Sequence, residues 1–212
     1  MYKLPTKKIF WLRTITAVIV FFALISMFVA SFNICYIRTP VKGLSMYPTL
    51  NYTTGEDIVY INRFANVKKN DIVVLDLTKH PEFQNYSIKR LIATEGDIVK
   101  IKLNIDELVF DLVVNNNVIY SKHYDNGFNT YNSLNTYISN HQLDSSRIIK
   151  DEQGDDCVIV KQGEIFILGD NWNVSIDSSL VGPISSKTIV GRVDIISTPN
   201  QSELLQILKR IF

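Results

Sequence analysis

Two patterns divide this chain. Between Arg13 and Arg38 lie 24 consecutive residues without a charge, rich in Val, Ile, Phe, Leu and Ala. Beyond them, apolar positions come in short β-branched blocks separated by polar turns. Wound as a helix, the first run is about 36 Å long, enough to cross a hydrocarbon core of about 30 Å with some tilt. A cleaved signal peptide is the rival reading, but its apolar region is usually only about 7–15 residues long. Ala30-Ser31-Phe32 makes a poor cleavage site, so an uncleaved anchor over residues 14–37 is expected. Lys3, Lys7, Lys8 and Arg13 precede the run, and Arg38 and Lys42 follow it. The positive-inside rule then places residues 1–13 in the cytoplasm and residues 38–212 outside. No later run is as long and as apolar, and the pattern predicts a single crossing.

The remainder predicts strands. Residues 57–61, 71–75, 86–93 and 98–103 are β-branched blocks, too short and too glycine-punctuated for helices. Asn66, Lys68, Lys69 and Asn70 supply the turn after the first block, and Glu95-Gly96-Asp97 ends the third. Residues 104–163 change character: Asn115-Asn116-Asn117 is followed by a Tyr-, Asn- and Ser-rich stretch from Tyr124 to Asn140. Asp125-Asn126-Gly127 in that stretch reads as a hairpin turn. This region is expected to be a polar, inserted β-lobe of low stability rather than a separate domain. Strand character returns at 164–168, is followed at once by Gly169-Asp170-Asn171, and ends at 189–196. The tail places Leu204, Leu205, Leu208, Ile211 and Phe212 at helical spacing behind a capping Ser202, for packing on the domain or for lying on a membrane through Lys209 and Arg210. The fold class is therefore mainly β: one N-terminal transmembrane helix, then an external β-rich domain with an inserted lobe.

Charge and cysteine content narrow the chemistry. Four of the 22 basic residues lie in the first thirteen, which leaves 18 against 21 acidic in the rest. That balance offers no electrostatic case for nucleic-acid binding. Cys35 and Cys157 are the only cysteines, too few for a disulfide framework and too far apart for a zinc site. His80, His123 and His141 stand in polar surroundings, so a histidine-based triad has few candidates. No metal or cofactor is expected.

Residues 41–50 contain the one hydroxyl that draws attention. Ser45 follows Gly43 by two residues, between Leu44 and Met46, and Pro48-Thr49 turns the chain beyond it. A glycine without a Cβ allows close backbone approach to such a hydroxyl. Ser45 is then either a nucleophile, which needs a base elsewhere to take its proton, or ordinary turn chemistry with its hydroxyl on backbone. Lys89 is the second unusual residue, a cation inside an apolar strand pattern. It either snorkels to solvent at an edge or is buried, in which case desolvation lowers its pKa and frees the amine to act as a general base. Arg90, a nearby positive charge, would push in the same direction from the opposite strand face.

Taken together, these blocks resemble the type I signal peptidases, membrane-bound serine proteases that remove signal peptides from exported proteins. Ser45-Met46-Tyr47-Pro48-Thr49-Leu50 matches the family's Ser-Met-x-Pro-Thr-Leu block at every specified position. Tyr86-Ser87-Ile88-Lys89-Arg90-Leu91-Ile92, then Gly96-Asp97, matches its lysine block. Gly169-Asp170-Asn171, then Ser175, Asp177-Ser178 and Gly182, matches its C-terminal block. The likeness covers nearly the whole chain except residues 104–163. It implies that Ser45 attacks the scissile carbonyl, that Lys89 exchanges the proton, and that Ser175 orients the lysine amine. It further implies that the Ser45 N–H holds the oxyanion with Gly43 lining the approach, and that Asp177 and the Gly169–Asn171 turn hold the strand carrying Ser175. The implied partners are exported preproteins, bound as an added strand and selected by shallow pockets for small residues at −1 and −3, and the lipid bilayer of the cell membrane.

Several positions depart from the family pattern. Ala93, Thr94 and Glu95 replace the Gly-x-Pro expected before Gly96. Trp172 stands where a basic residue is usual. Ser179 replaces the arginine that pairs with the aspartate, which leaves the role of Asp177 open. A specialised enzyme, or a catalytically silent relative serving as an assembly factor for surface proteins, is the alternative reading; the retained Ser45, Lys89 and Ser175 argue against silence. The self-cleaving repressors that share the Ser/Lys logic are disfavoured by the membrane span and by the lack of N-terminal DNA-binding helices.

Overall fold

The structure, a computed structural model, describes residues 6–52, 56–83 and 85–198. The tail that the sequence reads as a helix from Ser202 lies outside these residues. Of the described residues, 6–37 belong to one compact unit and those from 38 onward to another.

In the first unit the charge-free run is a helix, α1 (Thr6–Cys35). Ile9–Cys35 has a mean hydropathy of 2.6 and is long and apolar enough to cross a membrane. Large apolar side chains such as Phe10, Phe21, Phe22 and Phe28 are exposed along it, as a lipid-facing helix requires. Three of its hydroxyls are turned inward: Thr14, Thr16 and Ser31 donate to the carbonyls of Phe10, Leu12 and Met27, four residues back, which satisfies those donors within the helix.

The second unit is built on two sheets. The strands, counted in chain order from the end of the helix, are β1 (Tyr36–Pro40), β2 (Ile58–Asn62), β3 (Ile72–Asp76), β4 (Tyr86–Thr94), β5 (Ile98–Asn104), β6 (Val109–Val114) and β7 (Asn117–His123). A helix, α2 (Tyr124–Asn140), follows, then β8 (Ile148–Lys150), β9 (Asp156–Ile159) and β10 (Glu164–Leu168). A short α3 (Ser178–Val181), β11 (Ile184–Ser185) and β12 (Ile189–Ser197) complete the described chain. The larger sheet runs β1-β2-β12-β3-β4-β10-β11, and the smaller runs β7-β6-β5-β9-β8.

The strand blocks read from the sequence are β2, β3, β4, β10 and β12 of the larger sheet and β5 of the smaller one, with ends shifted by at most a residue; β1 and β11 are not among them. Strands β4 and β10 pair antiparallel, and the whole smaller sheet is inserted between them. Two chain crossings lie side by side at the junction: Gly96 N donates to Val160 O, and Val160 N donates to Asp97 O. Asp97 ties the outgoing turn by accepting from Thr94 N at 2.8 Å and from Asn115 Nδ2 at 2.6 Å. This is the turn where the sequence lacks the expected Gly-x-Pro.

Residues 104–163 are less polar in space than in sequence. Phe110, Leu112, Val114, Leu134, Tyr137, Ile138, Ile148 and Val158 share one apolar cluster with Ala93, Phe166, Leu168 and Trp172 of the larger sheet and its loop. Helix α2 overturns the expected hairpin at Asp125–Gly127, which is instead the helix's first turn. Local turn chemistry loses here to burial of Thr130, Leu134, Tyr137 and Ile138 on one face. Gly127 permits the close approach, since a Cβ there would lie 2.6 Å from the Phe110 ring.

Candidate active site

Ser45 sits on a turn just after β1. Met46 and Leu50, buried with Val41, Val59, Ile61 and Val74, pin that turn to the larger sheet, and Leu50 N closes it onto Met46 O at 2.9 Å. Gly43, upstream, has φ +83 and open space where a Cβ would stand. Among the described residues no acceptor takes the Ser45 N–H.

Lys89 lies in the middle of β4, opposite Val73 of β3, and is only 3% exposed. The snorkelling alternative is thereby excluded. Its Nζ donates to Ser175 Oγ at 3.1 Å. Burial lowers its pKa below the ordinary lysine value, against the pull of the Asp177 and Asp170 carboxylates. Arg90 does not act as expected from the sequence. It forms a two-pronged pair with Asp170, Nε to Oδ1 at 2.8 Å and Nη2 to Oδ2 at 2.6 Å, so its charge is taken up by that carboxylate. Among the described residues no hydrogen bond joins Ser45 Oγ to Lys89; the amine's bond goes to Ser175.

What brings these groups together is the loop that leaves β10. A Cβ placed on Gly169 would stand 2.2 Å from Ser175 Oγ and 2.4 Å from the Ser45 carbonyl oxygen. Asn171 N donates to that same Ser45 carbonyl at 3.0 Å, and Asn171 Nδ2 to Leu44 O at 3.1 Å. Asp170 also accepts from the Thr49 hydroxyl. Residues 169–171 therefore grip the Ser45 turn at Leu44, Ser45 and Thr49. Ser175 lies on this loop, not on a strand, and its N–H bonds Asn171 O at 3.1 Å.

Asp177 is fully buried at 0% exposure. One oxygen accepts from Gly169 N at 2.9 Å, the other from Ser179 N at 3.0 Å and Ser179 Oγ at 2.8 Å. Ser179 thus supplies two donors where an arginine was expected, and the aspartate still ties the two ends of the loop. The adjacent Ser178 Oγ accepts from Ile167 N at 3.0 Å. Trp172, the other departure, is buried in the cluster shared by the two sheets. All five site residues read from the sequence are placed: Lys89, Ser175 and Asp177 converge on loop 169–175, Ser45 meets it through its carbonyl, and Gly43 stays upstream in open space. Sequence reasoning did not single out Asn171 for its grip on Ser45; its polar side chain directly after Gly169-Asp170 was the available signal.

Among the described residues no group of three or more His, Cys, Asp or Glu side chains could hold a metal. The candidate site brings together a hydroxyl, a buried amine and backbone donors, groups of the kind that acyl transfer uses.

The chain is similar to known proteins over most of its length. Residues 9–198 match the family described as signal peptidase, peptidase S26. Signal peptidase I V of Bacillus subtilis is 30% identical over 165 residues, which is 75% of this chain and 84% of that protein. Thylakoidal processing peptidase 1 of Arabidopsis thaliana is 28% identical over 72% of this chain, but this stretch spans only 39% of that protein. A signal peptidase I of Enterococcus faecalis overlays 61% of this chain and 97% of its own, with 19% identity and a TM-score of 0.34. The chain belongs to the signal peptidase family, peptidase S26.

Proposed function

We propose that this protein is a membrane-anchored serine endopeptidase that removes signal peptides from exported preproteins with a Ser45/Lys89 dyad. The observation that carries the reading is the buried Lys89 amine on Ser175 Oγ, beside the glycine that also touches Ser45. Ser45 Oγ attacks the scissile carbonyl while Lys89 Nζ, whose pKa burial lowers, takes its proton. The C–N bond then breaks as Lys89 returns that proton to the leaving amine, and the preprotein's signal segment stays as an ester on Ser45. Water, deprotonated by Lys89 in turn, attacks the ester and frees the serine. Ser175 fixes the rotation of the amine so that its lone pair faces Ser45. The Ser45 N–H receives the oxyanion, with Gly43 lining the approach.

The substrate lies extended and is selected by small side chains at −1 and −3. Helix α1 anchors the enzyme with its N-terminus in the cytoplasm and the catalytic domain on the external face. Residues 38–212 then form the catalytic domain, and residues 104–163 its inserted lobe.

The test is cleavage of a preprotein bearing an Ala-x-Ala site by the full chain in detergent. Wild-type protein cuts after the second alanine, and Ser45→Ala and Lys89→Ala each abolish the cut. Full cleavage by folded Lys89→Ala protein would overturn the dyad.

A further inference from the structure

The loop that carries Ser175 is held from outside the larger sheet. Between Asn171, which grips the Ser45 carbonyl, and Ser175, which meets the Lys89 amine, the chain passes Trp172 and Asn173. Both of their carbonyls are taken by helix α2. The buried Thr130 hydroxyl donates to Trp172 O at 2.8 Å, and Asn129 Nδ2 donates to Asn173 O at 2.8 Å. A third bond runs the other way, from Asn173 Nδ2 to Asp125 O at 3.3 Å. The Trp172 side chain is buried in the same cluster as Leu134, Tyr137 and Ile138 of that helix. Loop 171–175 is therefore clamped at its middle by the inserted lobe and carries a catalytic contact at each end.

We infer that α2 is the positioning element of the catalytic dyad: Thr130 and Asn129 act through the Trp172 and Asn173 carbonyls to set where Ser175 meets Lys89 and where Asn171 holds Ser45. The inference rests on the Ser45/Lys89 reading above and gives the inserted lobe a part in it. Neither Thr130 nor Asn129 touches the reacting atoms; both are positioning residues. A buried hydroxyl facing a backbone carbonyl has one good partner, and its loss leaves that carbonyl unsatisfied. The loop then relaxes, and a shift of about 1 Å between catalytic groups costs up to about 100-fold in rate.

The consequence is read at Lys89. The charged groups around it are Asp177 and Asp170 on the loop, and Arg90 on its own strand, whose charge Asp170 takes. β3 presents only Val73 opposite it. If Ser175 retreats, water reaches the amine, the desolvation that lowers its pKa weakens, and the acidic limb of the activity profile moves to higher pH.

The experiment measures preprotein cleavage against pH for full-length wild type, Thr130→Val, Thr130→Ser and Asn129→Ala, with Tm measured for each. The expected result for Thr130→Val is a kcat lower by about 10- to 100-fold, KM little changed, and an acidic limb displaced upward; Thr130→Ser restores both kcat and the limb. A folded Thr130→Val enzyme with wild-type kcat and an unmoved limb overturns the inference, as does one whose only change is a lower Tm. Should Thr130→Val fail to fold, the pH limb of Asn129→Ala decides in the same way. Lys89→Ala measured alongside separates the two levels. If it is inactive while both α2 variants behave as wild type, only the clamp fails; if it is active, the dyad reading fails.

Discussion

Gly169 and Ser175 touch only because position 169 has no side chain: a Cβ there would lie 2.2 Å from Ser175 Oγ. The same Cβ would lie 2.4 Å from the Ser45 carbonyl oxygen, which is backbone and has little room to give way. A methyl group is therefore expected to force Ser175 and Ser45 apart. Gly169→Ala should lower preprotein cleavage by about 100-fold while α2 and both sheets still fold, as a cleavage assay paired with circular dichroism would show. Wild-type turnover would mean that the loop yields more than its contacts imply.

The pH dependence follows from Lys89. Its amine is pushed below the ordinary lysine value by burial, opposed by Asp177 and Asp170. Cleavage should therefore be retained at a pH where an exposed lysine is still charged, and fall as pH drops through the depressed value. Stability carries the same sign. Below the unfolded lysine value, folding must strip a proton from Lys89, and that cost grows as pH falls until the folded value is reached. Lys89→Met, of similar length, removes the cost. It should raise Tm at pH 7 and lose that advantage toward pH 10.5 while abolishing cleavage, both readable by calorimetry and a cleavage assay.

Asp177 concerns stability more than chemistry. Asp177→Ala strands the buried donors Gly169 N, Ser179 N and Ser179 Oγ. At about 1–3 kcal/mol for each unsatisfied group, partly offset by relaxation, the expected loss is about 3 kcal/mol. Ser179→Ala removes one donor and should cost about 1 kcal/mol. Denaturant titrations of both variants would order them; equal effects would show that the carboxylate does not tie the loop. Ser179→Arg, the residue usual in the family, should also destabilise, because Ser179 is buried beside Asp177.

Arg90 shields Lys89 from Asp170. Freed of its partner, the Asp170 carboxylate would favour the charged amine more strongly. Arg90→Ala should therefore shift the acidic limb of cleavage upward and cost about 2 kcal/mol, less than a fully buried pair because both side chains keep some exposure. Asp170→Asn should shift the limb downward. Lysine is no substitute at position 90, since it cannot reproduce the two-pronged contact. Opposite limb shifts in the two variants are the outcome to look for.

Much of this protein is local and was legible residue by residue. An uncharged run of that length has few fates but a spanning helix, and β-branched blocks between turn residues make strands wherever one face is buried. The candidate site residues were legible too, Lys89 as a cation within an apolar strand pattern and Ser45 and Ser175 through the motifs they share with the family. Helix α2 was not legible, since its Asn- and Gly-containing first turn carries a hairpin signal and its apolar face matters only once Phe110 and Trp172 are beneath it. Nor could the sequence show how Asp177 manages without an arginine.

The sequence by itself determined the long apolar helix and six of the strands, and singled out Ser45, Lys89 and Ser175 as candidates, because each is written in charge, periodicity or motif over a few residues. Only the tertiary structure decided that Lys89 is buried, that Arg90 serves Asp170, and that Gly169 is where Ser45 and Ser175 meet. Those depend on which strands become neighbours, and burial is a property of neighbours far away along the chain.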